Sequence, residues 1–522
     1  MEAKWVFGMV AVGVALTSAL VAPMAAAVAR SGRVAVRVVP SFPPSSYAGK
    51  GAVGSMVPAS GSTVSRASAR ASLVRGKLEN ALLGGIPKGR PLISLGGPPA
   101  AVTIYVALPP PGRHHNLDRY SIAIVGGGYH GLLLSSATRI PGLVSIADVA
   151  PTVRSLERGE RPVLTSRRSA DAPAELLELN ARLDAAHHAR KRSNRVLIGL
   201  VFGFAALAWL LRSASCGRAA LLAVPATVLA STIASALHVE HRLPAWTLAI
   251  ALPLTVVLAV AVRTFGRLAL ALALLLGAYA LFLGLSSETV SLAALGPHPE
   301  GGGRFYGITN QIETLLLAPA LALASLVDLV LLPAVALAAL VVVAWSRLGA
   351  DGGGLIVFAA GLAALVLLRT SPRVTAARAA LAGAGVVALA LALVGLDALT
   401  GGSSHITHAV GGGPGSLLSD LGHRLHLSWR GIVNKRDHLA IAVVSVAALV
   451  VLALFRPRSR TLDALLTALT VSLLVNDSGF DVLRFGALVA IAVFTWSRVG
   501  VAYGTDRKAV AALPPRPSKT GR

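Results

Sequence analysis

Residues 312–345 read IETLLLAPALALASLVDLVLLPAVALAALVVVAW, an apolar run divided near its middle by Asp328 and Pro333 alone. A membrane-crossing helix needs about 20 apolar residues, so this run is either one overlong span or a tight hairpin of two. The choice propagates, because one extra crossing moves every later loop to the other side of the membrane. With a hairpin, the loops carrying Arg212 and Arg218, Arg263 and Arg267, Arg369, Arg373 and Arg378, and Arg456, Arg458 and Arg460 all fall on one side, together with the tail from Arg498. The positive-inside bias assigns that side to the cytoplasm. With a single span the bias inverts halfway along the chain, so the hairpin is the consistent reading.

Working outward, apolar stretches lie near 196–211, 219–237, 244–262, 268–285, 312–327, 329–345, 354–369, 379–397, 438–455, 462–476 and 481–497. The N-terminus adds Lys4 and the run from Trp5 to Val28, read as an uncleaved first span over 1–30 rather than a cleaved signal, because its apolar part exceeds the usual core of about 7–15 residues. The expected fold is an all-α polytopic membrane helix bundle of about twelve spans, over 195–500. It is joined to an extracytoplasmic α/β domain over 31–194 and followed by a disordered cytoplasmic tail over 501–522. Both termini are expected in the cytoplasm. Composition agrees, with 54% hydrophobic and 14% charged residues and a mean hydropathy of +0.70. The net charge of +25 is dispersed over loops, tail and outer segment without aromatic interleaving, which argues against nucleic acid as a partner. Cys216 is the only cysteine, so no internal disulfide framework and no cysteine zinc site exist.

Within 31–194 the apolar runs are short. Val34–Val39, Val102–Val106 and Ser121–Val125 alternate as buried strands do, and 60–80 and 144–156 have helical spacing. A final helix from Ala174 to Ser193 is expected to run into the membrane. A segment of this length can close its own core.

Val125-Gly126-Gly127-Gly128-Tyr129-His130-Gly131, Thr138-Arg139-Ile140-Pro141 and Ser145-Ile146-Ala147-Asp148-Val149-Ala150-Pro151-Thr152 follow one another in that domain. Their order resembles the C-terminal part of the alkaline phosphatase superfamily, which includes sulfatases and phosphoglycerol or phosphoethanolamine transferases. There a strand ending in Asp-His-Gly is followed by an Arg-Ile/Val-Pro strand and a Val-Asp-Ile-Ala-Pro-Thr helix. The resemblance implies part of that fold. It places Tyr129 where the family has a metal-binding Asp and leaves His130 in register with the His. A two-metal phosphoryl-transfer site needs enough carboxylates and imidazoles for two cations, and a nucleophile between them. His114, His115 and Asp118 form one polar loop without a matching set, and Ser62 or Thr63 reads as a helix cap before it reads as a nucleophile. No metal and no cofactor is therefore expected, and the outer domain reads as a catalytically degenerate relative. The pairing with a polytopic part is similar in layout to ethanolamine-phosphate transferases that modify lipid-linked glycans.

The loops opposite the arginines carry the remaining chemistry. Arg304, Tyr306, Asn310, Gln311 and Glu313 enter a span together, Asp351 precedes three glycines, Ser403 to His408 contains His405 and His408, and Asn476 and Asp477 precede Gly479. Polar residues at span entrances are costly in hydrocarbon and normally face a cavity, a partner or headgroups, although caps and turns give similar patterns. Arg304, Tyr306, Asn310, Gln311, His405 and Asn476 are the candidate substrate-binding residues, with Glu313, Asp351, Asp477 and His130 as weaker catalytic candidates. From Ser416 to Lys435, leucines, Trp429, Ile432 and Val433 alternate with Arg424, Arg430 and Lys435 as in an amphipathic helix on the outer membrane surface. The expected role is a non-enzymatic or accessory one in bacterial envelope lipid or polysaccharide handling, with membrane lipids and lipid-linked glycans as partners. The alternatives are a membrane transferase acting on lipid-linked phosphate headgroups or sugars, and a secondary transporter.

Overall fold

The structure is a computed structural model that describes residues 33–78, 89–239, 241–371, 374–399, 414–433 and 435–500. The N-terminal span, the tail from 501 and the loop bearing His405 and His408 lie outside the described residues. The chain divides into two compact units: residues 1–189 with 285–306, and residues 190–284 with 307–522.

The first unit is built on a seven-stranded mixed sheet. Its strands are β1 (Val34–Val39), β2 (Gly51–Val57), β4 (Val102–Ala107), β6 (Tyr120–Gly126), β7 (Gly131–Ser135), β8 (Leu143–Ser145) and β9 (Leu164–Arg167), and β3 (Thr63–Ser65) and β5 (Arg113–His115) pair separately. The order is β1-β4-β6-β2-β7-β9, with β8 also on β2. Strand β2 is central and buried along its whole length, so both of its faces must be covered. Its side chains alternate between two cores. Ala52 and Met56 join Ile104, Val106, Ile122 and Ile124 beneath helices α1 (Arg66–Arg75) and α2 (Val149–Glu157). Val53 and Val57 join Leu132, Leu176, Leu179 and Leu183 on the other face. The three leucines lie on α3 (Ala172–Leu211), a continuous 40-residue helix that begins in the sheet unit and ends in the other.

Helix α1 starts one strand later than the sequence spacing suggests. Ser65, not Ser62 or Thr63, is its N-cap, and Ser65 and Ser68 exchange side-chain and backbone bonds as a capping box. Likewise 143–145 is strand β8, and the helix expected from 144 begins only after it.

Eleven helical segments expected in the membrane part are helices among the described residues. After the second half of α3 come α4 (Ala214–Ala236), α5 (Leu243–Ala261), α6 (Phe265–Leu285), the short α7 (Ser287–Ser291), α8 (Asn310–Leu326), α9 (Leu332–Ala344), α10 (Gly352–Thr370), α11 (Ala376–Leu399), α12 (Pro414–Val433), α13 (Arg436–Leu454), α14 (Arg460–Val475) and α15 (Gly479–Thr495). Seven of the described helices, α3, α4, α5, α6, α10, α13 and α15, are long and apolar enough to cross a membrane. That count covers the described residues alone, and the N-terminal run expected as one of about twelve spans lies outside them. Helices α8 and α9 have 17 and 13 residues, or roughly 25 and 20 Å at 1.5 Å per residue, against a hydrocarbon core of about 30 Å.

The 312–345 run is nevertheless a hairpin, broken at 327–331. Arg369 at the end of α10 donates to Ala324 O and Val327 O at the end of α8, both at 2.9 Å. Ile308, ahead of α8, donates to Gly349 O ahead of α10, so the chain has gone out and come back. Gly361 of α10 packs against Leu321 of α8 and Ala468 of α14, and Gly486 of α15 against Leu469. Small residues at such crossings let backbones approach where no hydrophobic driving force separates helix from lipid. These contacts set the levels of the four helices and give the unit two chemically different ends. One carries Arg369, the Arg458–Asp463 pair, and Arg498, which bonds Pro457 O and lies over Phe455 and Phe494. Trp209, near the end of α3, stacks on Phe494 and donates to Thr495 at that same end. The other end holds the entrances of α8, α10 and α15.

Residues 285–306 leave the membrane sequence and complete the sheet unit. Leu292 and Phe305 are buried in its second core, and Tyr306 packs beside them. Arg182 and Glu288 pair at 2.9 Å and His187 and Glu300 at 3.1 Å. The buried Asn116 amide donates to Ala59 O, Gly61 O and Gly301 O, pinning the segment to the loop after β2.

Candidate polar site at one end of the helical unit

Three of the four polar elements singled out in the sequence meet in the second unit. Thr309 caps α8 by accepting from Ile312 N, which aims the first turn of the helix at the 475–479 turn. Asn310 then donates to Asp477 Oδ1 at 2.8 Å. One turn deeper, Glu313 is fully buried. Its Oε2 accepts from Asn476 Nδ2 at 2.9 Å, its Oε1 from Ser472 Oγ at 3.4 Å, and Asn476 Nδ2 also donates to Ser472 Oγ at 2.8 Å. Gln311, also buried, donates to Asn194 Oδ1 of α3 at 2.9 Å.

The third element is the start of α10. Asp351 is buried at its N-cap position but makes no side-chain capping bond. A Cβ built on Gly353 would stand 2.6 Å from Asn476 Oδ1 and 3.7 Å from Asp351 Oδ1, and one on Gly354 3.0 Å from Asp351 Oδ2. The glycines therefore let two polar side chains lie against the positive end of a helix. Three carboxylates (Glu313, Asp351 and Asp477), the Asn310 and Asn476 amides and the Ser472 hydroxyl gathered this way are the hydrogen-bonding groups that hydroxyl-rich or zwitterionic ligands take up. Capping explains Thr309; the Glu313–Asn476 bond between α8 and the end of α14 is an interhelical contact that capping does not require.

Arg304 and Tyr306 belong to the sheet unit, where the Tyr306 ring lies under the Arg139 guanidinium at 3.8 Å; Tyr306 is a packing residue. His405 is outside the described residues. His130 is exposed, and its backbone N donates to Ser166 Oγ. Three partners gave no signal above the apolar background of the sequence. Ser472 sits inside a leucine-rich helix, Asn194 sits among arginines, and Ser428 of α12 donates to Asn476 O while accepting from Gly479 N. The i, i+4 spacing of Ser472 and Asn476 is the one pattern that would have flagged them.

In the sheet unit, Tyr129 turns its ring into the core and donates to Leu164 O at 2.7 Å, and burial pushes its phenol well above the ordinary value. Asp148 accepts from Ser135 Oγ at 2.8 Å and Ser145 N at 3.1 Å; burial raises its carboxyl to about 6, the two bonds opposing the shift. Strand pairing sets Gly51 beside Val125 and Met56 beside Tyr120. The turn bearing Tyr129 and His130 is thus at one end of β2, and Ser62 and Thr63 beyond the other, roughly 20 Å away at about 3.3 Å per residue. Thr63 instead accepts from Arg113 Nη2 at 3.1 Å and lines an open cleft of about 490 Å³ with His114, His115 and Asp118. Among the described residues no group of three or more His, Cys, Asp or Glu stands close enough to hold a metal ion.

The chain matches no known family model, no characterised protein and no solved structure.

Proposed function

We propose that this is a bacterial cell-envelope membrane protein with an accessory role in handling lipids or lipid-linked polysaccharide. In this reading a polar headgroup or sugar is bound at the end of the helical unit where Glu313, Asn476 and Asp351 lie. The carrying observation is the Glu313–Asn476–Ser472 network: a fully buried carboxylate joining α8 to α14. Buried ionisable groups in such surroundings are costly and are retained where they serve a ligand or a path. The arginine-bearing loops at the opposite end support placing this site outside the cytoplasm.

The sheet unit enters as a degenerate, non-catalytic relative of alkaline phosphatases. Supporting this are the core position of Tyr129 and the separation of His130 from Ser62 and Thr63 along β2. The test is a lipid profile of cells lacking the protein, complemented with the native chain or with Glu313→Gln. Loss of one lipid-linked species, restored by the native chain and not by Glu313→Gln at equal protein level, is the expected result. An unchanged profile in cells lacking the protein overturns the reading. A purified protein that transfers a headgroup from a lipid donor replaces it with the transferase.

A further inference from the structure

Helix α12 carries a surface that the proposed role leaves unused. Its inner face is fixed: Leu427 and Ser428 are buried, Ser428 bridges Asn476 O and Gly479 N, and Arg424 donates to Val475 O. These bonds place α12 at the polar end of the helical unit. The outer face bears Leu425, Trp429 and Val433, which are 40%, 62% and 37% exposed. Their i, i+4, i+8 spacing makes one continuous stripe. Beside the stripe stand His426 and Arg430, followed by Lys435 and Arg436, all exposed.

Two features point to the occupant. Trp and aliphatic side chains bordered by cations are the composition of helices that lie in the headgroup region of a bilayer. Arg424, Arg430, Lys435 and Arg436, against Asp420 and Asp437, stand at the end opposite the arginine-bearing loops. Topology does not account for positive charge there; an anionic surface beside the stripe does. We propose that α12 is an interfacial helix that seats Leu425, Trp429 and Val433 among acyl chains and engages anionic phospholipid headgroups with Arg430, Lys435 and Arg436. Each basic residue near such a surface strengthens attraction by about fivefold, so three cations give a dependence on lipid charge that the apolar stripe alone does not. Through Ser428, the seated helix holds the turn that carries Asn476.

The test uses the full chain with Cys216→Ser and Val433→Cys, spin-labelled at the introduced thiol, in nanodiscs of phosphatidylcholine or of equal parts phosphatidylcholine and phosphatidylglycerol. Leu425→Cys serves as the second label site, and Val443→Cys, on lipid-exposed α13, reports correct insertion. The label at 433 is expected to be shielded from a water-soluble nickel chelate and open to oxygen in the mixed bilayer, with shielding lost in part in phosphatidylcholine. Adding Arg430→Gln, Lys435→Gln and Arg436→Gln is expected to make the mixed bilayer behave like phosphatidylcholine. Labels at 433 and 425 open to the chelate in both bilayers overturn the proposal and leave the stripe to water or to an acidic polymer or protein. Equal shielding in both bilayers, unchanged in the triple variant, overturns it in favour of apolar contact without headgroup recognition.

Discussion

Asp148 and Glu313 are both buried carboxyl groups, and their surroundings give them different work. Asp148 is ionised only against burial. Its carboxyl is protonated in both folded and unfolded chain below pH 3.8, ionises first in the unfolded chain, and follows in the folded one near pH 6. The folded state therefore binds more protons between those values, and stability falls as pH rises through the window, by roughly 3 kcal/mol in total. Asp148→Asn is expected to keep both bonds, since Ser135 and Ser145 meet the same oxygen, and to flatten this dependence. Urea midpoints of the sheet unit, read by limited proteolysis from pH 4 to 7, check it; an unchanged slope refutes the assignment. At Glu313, truncation to Ala removes the acceptor of one Asn476 amide hydrogen and of the Ser472 hydroxyl hydrogen, while their mutual bond remains, at about 1–3 kcal/mol for each buried donor left unsatisfied. Gly353→Ala probes the same network from the opposite side. In an open helix it would stabilise by about 1 kcal/mol, but its methyl meets Asn476 Oδ1, so function is expected to fall while the helix persists. Full function in Gly353→Ala would mean that Asn476 moves without consequence.

At the level of elements, the packing of 285–306 on the sheet is the most exposed to test. Phe305→Ala is expected to cost the sheet unit about 3–5 kcal/mol, and Leu183→Ala on α3 about 2–5 kcal/mol, read as a lower melting temperature with the helical unit unchanged. A Phe305→Ala protein with native stability would show that the segment rests on the surface. The elements also show what sequence discloses. Strands β1, β4 and β6 were legible because their branched and aromatic residues alternate in short runs. Central β2 was not, since GAVGSMV has too many small residues to carry a period; Gly51 is there because any side chain would strike Ile124 O. Apolar runs of 15 or more residues marked the helices, and Asp328 with Pro333 marked the hairpin. At the site, Glu313, Asn310, Asp351, Asn476 and Asp477 were readable as polar residues at span entrances. That Arg304 and Tyr306 belong to the sheet unit was not, because adjacency in sequence conceals that 285–306 closes the core of that unit.

For the whole molecule, the two ends of the helical unit predict a sidedness. Reporter fusions after Gly302 and after Tyr503 are expected to give opposite compartment signals, the second cytoplasmic; like signals at both sites would overturn the orientation. The interrupted sheet unit also has a consequence in time. A ribosome adding about 5–20 residues per second needs roughly 5–20 s to make residues 190–284 after the last strand and the first half of α3 are complete. Throughout that interval Val57, Leu132 and Leu176 lack the cover of Leu292 and Phe305. The nascent unit must wait, half-closed, on whatever machinery inserts α4 to α6. An insertion fault in those helices would then surface as aggregation or degradation of a unit whose own sequence is intact.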